Sequence, residues 1–163
     1  MKDQPAVNRL LDLLTTVTSW IAVLCVIGIV GFTGVEIICR WVFNFSLRGP
    51  EELTAFMLIG VSFMGLAYTF VQGGHISVDT FSKLLPSVWQ KRLSIIHGVI
   101  GFSFCAALTY YGSKLVVQNI AFNSHSTSAW NVPLVIPSIF IPIGTGTLGF
   151  VMVTYTIRLI RSE

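Results

Sequence analysis

Charge is what this sequence has least of. Only 10 Lys and Arg and 7 Asp and Glu occur in 163 residues, a charged fraction of 10%, where soluble domains carry about 25%. With 53% hydrophobic residues and a mean hydropathy of +0.78, the chain cannot clothe a globule in polar surface. Its surroundings are therefore mostly lipid, and the sequence reads as an all-α integral membrane protein. The net charge of +3 is too small to point to nucleic acid. Cysteine is scarce as well. Cys25, Cys39 and Cys105 lie in or beside apolar runs without metal-like spacing, and a buried free Cys behaves as a small hydrophobe. The histidines His75, His97 and His125 fall on separate elements, so no shared metal site is expected. A phosphate-binding loop and a nucleophile with its base are also missing. The sequence therefore assigns no metal, no cofactor and no catalytic residue, and the chain is not expected to be an enzyme.

What is present is a series of apolar runs, expected to form one four-helix membrane domain over residues 1–163, with spans at about 17–39, 53–71, 93–117 and 134–157. Each is long enough to cross a core of about 30 Å at about 1.5 Å per residue. Residues 1–16 mix Lys2, Asp3, Arg9 and Asp12 with leucines, a spacing that suits a short helix at the membrane surface leading into the first span. That first run exceeds the apolar length of a secretory signal and has no small-x-small cleavage site, so it reads as a retained helix. A second amphipathic, interfacial segment is expected after Gly73-Gly74, which ends the second span as a helix C-cap. It runs from His75 through Phe81 and Leu85 to Pro86. Gly28, Gly31 and Gly34 recur every three residues along the first span and hint at close helix packing. Residues 119–131 form a polar loop. Pro133, Pro137 and Pro142 then crowd the start of the fourth span, where Pro142 should loosen the helix ladder if it lies deep.

The informative charges flank the second span. Glu36 and Arg40 are one helical turn apart. They suit an ion pair anchoring the end of the first span, since an unpaired charge at mid-bilayer costs about 3 kcal/mol or more; a polar contact with a partner protein is the alternative. Arg48, Glu51 and Glu52 surround Pro50. Pro50 fits a first helical turn, and the two acids beside it favour the positive end of the helix dipole. His75 and Asp79 are expected to hold the turn at the other end of the second span; a proton-sensitive role for His75 is the sharper but less supported reading.

The order of these features resembles the small membrane subunit, the DctQ-type or Q subunit, of tripartite ATP-independent periplasmic (TRAP) transporters. The resemblance begins with Arg40-Trp41-Val42-Phe43-Asn44 and Glu51-Glu52-Leu53, and includes Gly65 in the second span. It continues through Gly74-His75-Ile76-Ser77-Val78-Asp79 and Leu85-Pro86, then Ser126 to Pro133 and Ile141-Pro142-Ile143-Gly144. One departure is Arg48-Gly49-Pro50, where similar members carry a Trp and a small polar residue. The resemblance implies a scaffold that embraces the large M subunit, with a soluble periplasmic binding protein, the P subunit, delivering an organic acid. A C4-dicarboxylate, a sialic acid or a similar acid would be imported on a sodium gradient. It also implies the bacterial inner membrane, with membrane lipids around the chain. Glu36, Arg40, Arg48, Glu51, Glu52, His75 and Asp79 are then partner-interface or structural candidates. The competing reading is an independent small four-helix transporter acting as a homodimer. Such a protein needs a functional acid in its first span, and Glu36 is the candidate.

Four spans place both termini on one side of the membrane, with the loop between the second and third. That side holds Lys2, Arg9, Lys83, Lys91, Arg92, Arg158 and Arg161; the other holds Arg40, Arg48 and Lys114. The bias puts the termini in the cytoplasm. An alkaline-phosphatase fusion at Ser126 is therefore expected to be active and one at Ser87 silent, and the reverse pattern would overturn the topology.

Overall fold

The computed structural model describes residues 5–45, 49–72, 87–127 and 130–161. Among them the chain is helical, without a strand. Helix α1 spans Pro5–Phe43, α2 Pro50–Met64, α3 Leu66–Val71, α4 Ser87–Ala121 and α5 Val135–Arg161. Four stretches are long and apolar enough to cross a membrane: Arg9–Phe43, Pro50–Val71, Leu93–Ala121 and Val135–Ile157. The interfacial turn expected around Gly73-Gly74, His75 and Asp79, and the Arg48 position, lie outside the described residues.

The surface helix expected over the first residues is not a separate element. No Pro or Gly occurs between Ala6 and Ile27, so nothing breaks the ladder, and α1 runs unbroken through the span. It ends where Asn44 takes a left-handed conformation, φ 50°, which Asn tolerates better than most side chains. Helix α4 likewise runs beyond the expected boundary. It closes in a Schellman arrangement: Ser124 N–H donates to Asn119 O at 3.0 Å and Asn123 N–H to Ile120 O at 3.2 Å, with Asn123 at φ 46°. The second span is jointed at Gly65, which separates α2 from α3. The joint is shallow, because Gly65 keeps right-handed dihedrals and still donates to Val61 O at 3.1 Å.

The helices form an open row in the order α4, α5, α2–α3, α1. Among the described residues α4 touches α5 alone, and α5 also meets α2, α3 and, slightly, α1. Burial follows this order: 44% of the most apolar stretch of α5 is buried, against 6% in α4 and none in α1. Small residues on α4 make its seam with α5. Gly98 faces Thr156, Gly101 faces Met152, Cys105 faces Gly149, and Gly112 receives Ile141 and the Pro142 ring. Pro142 does lie inside α5, and its ring bulk meets a residue that has no side chain to displace. On the other flank the backbones come closest. A Cβ at Gly144 would collide with the Phe63 carbonyl, standing 2.5 Å from its carbon. Without hydrophobic drive between helices in lipid, such close packing is what holds them.

The lower end, where α1 begins and α5 finishes, is tied by an apolar cluster of Ala67, Cys105, Leu148 and Val151, with Leu11, Leu66, Phe70 and Met152 around it. Phe70 and Tyr155 add an edge-to-face contact at 6.0 Å. The glycines of α1 divide. Gly28 lies against Met57, whereas Gly31 and Gly34 have nothing within 4 Å, so only part of the stripe expected for packing is used inside the chain. Replacing Gly144 with Ala should therefore cost about 1–3 kcal/mol by overpacking. Gly31→Ala should change stability by less than about 0.5 kcal/mol. Thermal unfolding in detergent measures both, and equal effects would contradict the close approach at Gly144.

Candidate partner-binding site

The polar side chains with specific partners gather at the upper end, where α1 and α4 finish and α2 and α5 begin. Glu36 and Arg40 share one face of α1, and Arg40 Nη2 donates to Glu36 Oε1 at 2.7 Å. Glu36 is mostly shielded (13% exposed) while Arg40 is open (62%). The guanidinium thus covers the inner acid. An ion pair this open contributes at most about 1 kcal/mol, so its value is in keeping Glu36 compensated near the membrane edge.

Helix α2 starts at Pro50, which is buried. Gly49 supplies the cap: its carbonyl accepts Glu52 N–H at 3.1 Å and Leu53 N–H at 3.3 Å. Its φ of 131° belongs to a region L side chains avoid. Space forbids a side chain as well, since a Cβ there would lie 2.6 Å from Trp130 Nε1. The neighbouring acids then part company. Glu51 is exposed, while Glu52 turns inward, and its Oε1 accepts a hydrogen bond from the Ser126 hydroxyl. Glu52 Oε2 is buried and has no hydrogen-bond partner.

Ser126 belongs to the connection between α4 and α5, which doubles back on itself. Ser126 N–H donates to Val132 O at 2.9 Å and Leu134 N–H to Ser124 O at 3.0 Å, around a single antiparallel bridge between His125 and Pro133. Asn131, at φ 46°, makes the reversal. His125 holds its own turn through Nδ1 and the Asn123 carbonyl, 2.7 Å apart. Asn119, expected in the loop, is instead the last polar rung of the α4–α5 seam. Its Nδ2 donates to Ser138 Oγ at 2.7 Å, and deeper in the span Thr109 and Thr145 pair their hydroxyls at 2.9 Å. Thr145 is fully enclosed; its hydroxyl also donates to Ile141 O at 2.7 Å.

Between α4 and α5 a groove of about 410 Å³ opens outward from the row, with Gly146, Gly149 and Thr109 among its lining residues and Phe102, Tyr110 and Phe150 beside them. It is apolar with a few hydroxyls, a surface suited to packing rather than to chemistry. Among the described residues no group of three or more His, Cys, Asp or Glu is placed to hold a metal.

Of the residues singled out from sequence, Glu36, Arg40, Glu51 and Glu52 all stand at this upper end, and Glu36 and Arg40 are in contact with one another. Arg48, His75 and Asp79 lie outside the described residues. The sequence reading did not find Ser126, Trp130, Asn119 or the Thr109–Thr145 pair as contact residues. One signal was available: Gly98, Gly101, Cys105, Gly112 and Asn119 repeat at steps of 3, 4, 7 and 7, the heptad signature of a helix seam.

Comparison with known proteins agrees with this picture. A family model for the DctQ component of tripartite ATP-independent periplasmic transporters matches residues 29–162. A Haemophilus influenzae protein described as a TRAP transporter small permease protein is 26% identical over 112 residues, which is 69% of this chain and 65% of that protein. The chain thus aligns with a little under two thirds of that relative's length. The match covers the upper end, both of its connections, the later part of the first membrane-crossing stretch and all of the other three, and the chain belongs to the DctQ component family of the tripartite ATP-independent periplasmic transporters.

Proposed function

We propose that the chain is the small membrane subunit of a sodium-coupled TRAP transporter. It pairs with the large M subunit to import an organic acid (a C4-dicarboxylate, a sialic acid or similar) that a periplasmic binding protein delivers. It resides in the bacterial inner membrane with both termini cytoplasmic, which makes the upper end periplasmic. Its part is mechanical: it widens the fixed frame against which M moves its substrate.

The observation that carries this reading is the open row. A self-contained transporter encloses a path and places ionisable groups along it. Here α4 has one helical neighbour among the described residues, and no Asp, Glu, Lys or Arg occurs in residues 13–35, 53–71, 93–113 or 135–157. A flat array with two broad apolar faces and charges only at its rims suits a part that is completed by another membrane protein. Glu36, Arg40, Arg48, Glu51 and Glu52 then shape its periplasmic rim, and His75 and Asp79 its cytoplasmic turn. The rival homodimeric transporter depends on Glu36, which Arg40 neutralises at 2.7 Å.

Purification of the tagged chain from its native membrane in mild detergent, followed by mass spectrometry, tests the proposal. A stoichiometric and much larger polytopic membrane protein is expected to accompany it. A lone chain or a homodimer in several detergents would overturn the scaffold role and return attention to Glu36.

A further inference from the structure

The two acids at the start of α2 face different tasks. Either satisfies the helix dipole from an exposed position, as Glu51 does. Glu52 instead gives up hydration. One carboxylate oxygen takes the hydroxyl of Ser126, and the other is buried without a donor. Burying a carboxylate oxygen unpaired is unfavourable, so the inward position is maintained by what the Ser126 contact holds in place. Ser126 is itself 7% exposed, and its N–H is committed to Val132. A force on its side chain is therefore carried to the whole doubled-back connection. Three residues before Glu52, Gly49 makes a second and chemically independent contact with the same connection, against the indole of Trp130.

We propose that Glu52 is a positioning residue, which with Gly49 clasps the start of α2 to the α4–α5 connection and fixes residues 123–127 and 130–134 as a platform at the upper end. The need for such a clasp follows from the row. Among the described residues the backbone of helix α4 comes close to that of α5 alone. At the lower end an apolar cluster joins residues of α1, α3, α4 and α5; at the upper end Glu52–Ser126 and Gly49–Trp130 are among the ties between the two hairpins. The platform presents the outer edge of Trp130, 45% exposed, beside Thr127, Asn131 and Glu51, all open to the surroundings. That this surface receives the soluble subunit rests on the function proposed above; the clasp does not.

The test uses the full chain, labelled with 5-fluorotryptophan, in lipid nanodiscs without any partner, so that its outcome is separate from that of the purification experiment. Four tryptophans give four fluorine resonances, and Trp130 is assigned by its loss in Trp130→Phe. Glu52→Ala and Ser126→Ala are each expected to shift and broaden the Trp130 resonance while leaving Trp20, in the middle of α1, where it was. Glu52→Gln keeps an oxygen that accepts the hydroxyl and should leave Trp130 at its wild-type position. If Glu52→Ala unfolds the chain, moving Trp20 as well, Ser126→Ala carries the test, since it removes a single oxygen. An unchanged Trp130 resonance in Ser126→Ala would overturn the clasp. So would a Glu52→Gln spectrum matching that of Glu52→Ala, which would make the charge, and not the accepted hydroxyl, the operative feature.

Discussion

Helix α5 has neighbours on two sides, and the approach of Gly144 to the Phe63 carbonyl sets how near one of them can come. In water a helix is pressed into place by the exclusion of its apolar face. In lipid that force is absent, and association depends on how closely backbones can approach and on a few hydrogen bonds. The chain meets this constraint with small residues on both flanks of α5. Glycines of α4 receive Thr156, Met152 and Pro142 on one flank, and Gly144 itself meets α2 on the other. The Thr109–Thr145 and Asn119–Ser138 bonds then fix the register of the α4–α5 pair. Everything at the upper end is built on this pair, because α4 has no other helical neighbour among the described residues.

The two ends of the row are closed by different means. The lower end uses apolar side chains from α1, α3, α4 and α5, which is possible because α5 borders each of the other three. At the upper end the chain closes through its connections, with a glycine seated under an indole and a glutamate reaching a serine 74 residues away. The charges therefore serve geometry. Glu36 is covered by Arg40, Glu52 by the loop, and the middle of each span is left to apolar and hydroxyl side chains. This distribution is what a frame needs, and it lacks the chain of ionisable groups that a transport path would use.

Much of this was legible in the sequence, and the reason is specific. Apolar runs bounded by Asp12, Glu36, Pro50 and Lys114 admit four crossings, and the i, i+4 spacing of Glu36 and Arg40 already places them face to face. Helix ends were less legible. No proline interrupts α1 after Pro5 or α4 anywhere, and both end where an asparagine adopts the left-handed conformation, at Asn44 and Asn123; composition alone does not mark such residues. The row itself was hidden, since lipid-facing and partner-facing apolar residues look alike; Gly31 and Gly34 read as packing positions, yet among the described residues nothing lies within 4 Å of where their side chains would start. The Glu52–Ser126 contact was hidden for another reason. It joins two connections that no periodicity links, and its formation depends on how α5 orders the helices between them.

The account's central claim is that this open row is one part of a larger membrane assembly. A single-particle cryo-electron-microscopy map of the chain, extracted with its neighbours in native lipid nanodiscs, tests that most directly. The account predicts a large polytopic protein laid against a broad apolar face of the row, with Glu36 and Arg40 still paired at its rim. Two copies of the chain enclosing a shared path lined by Glu36 would contradict it.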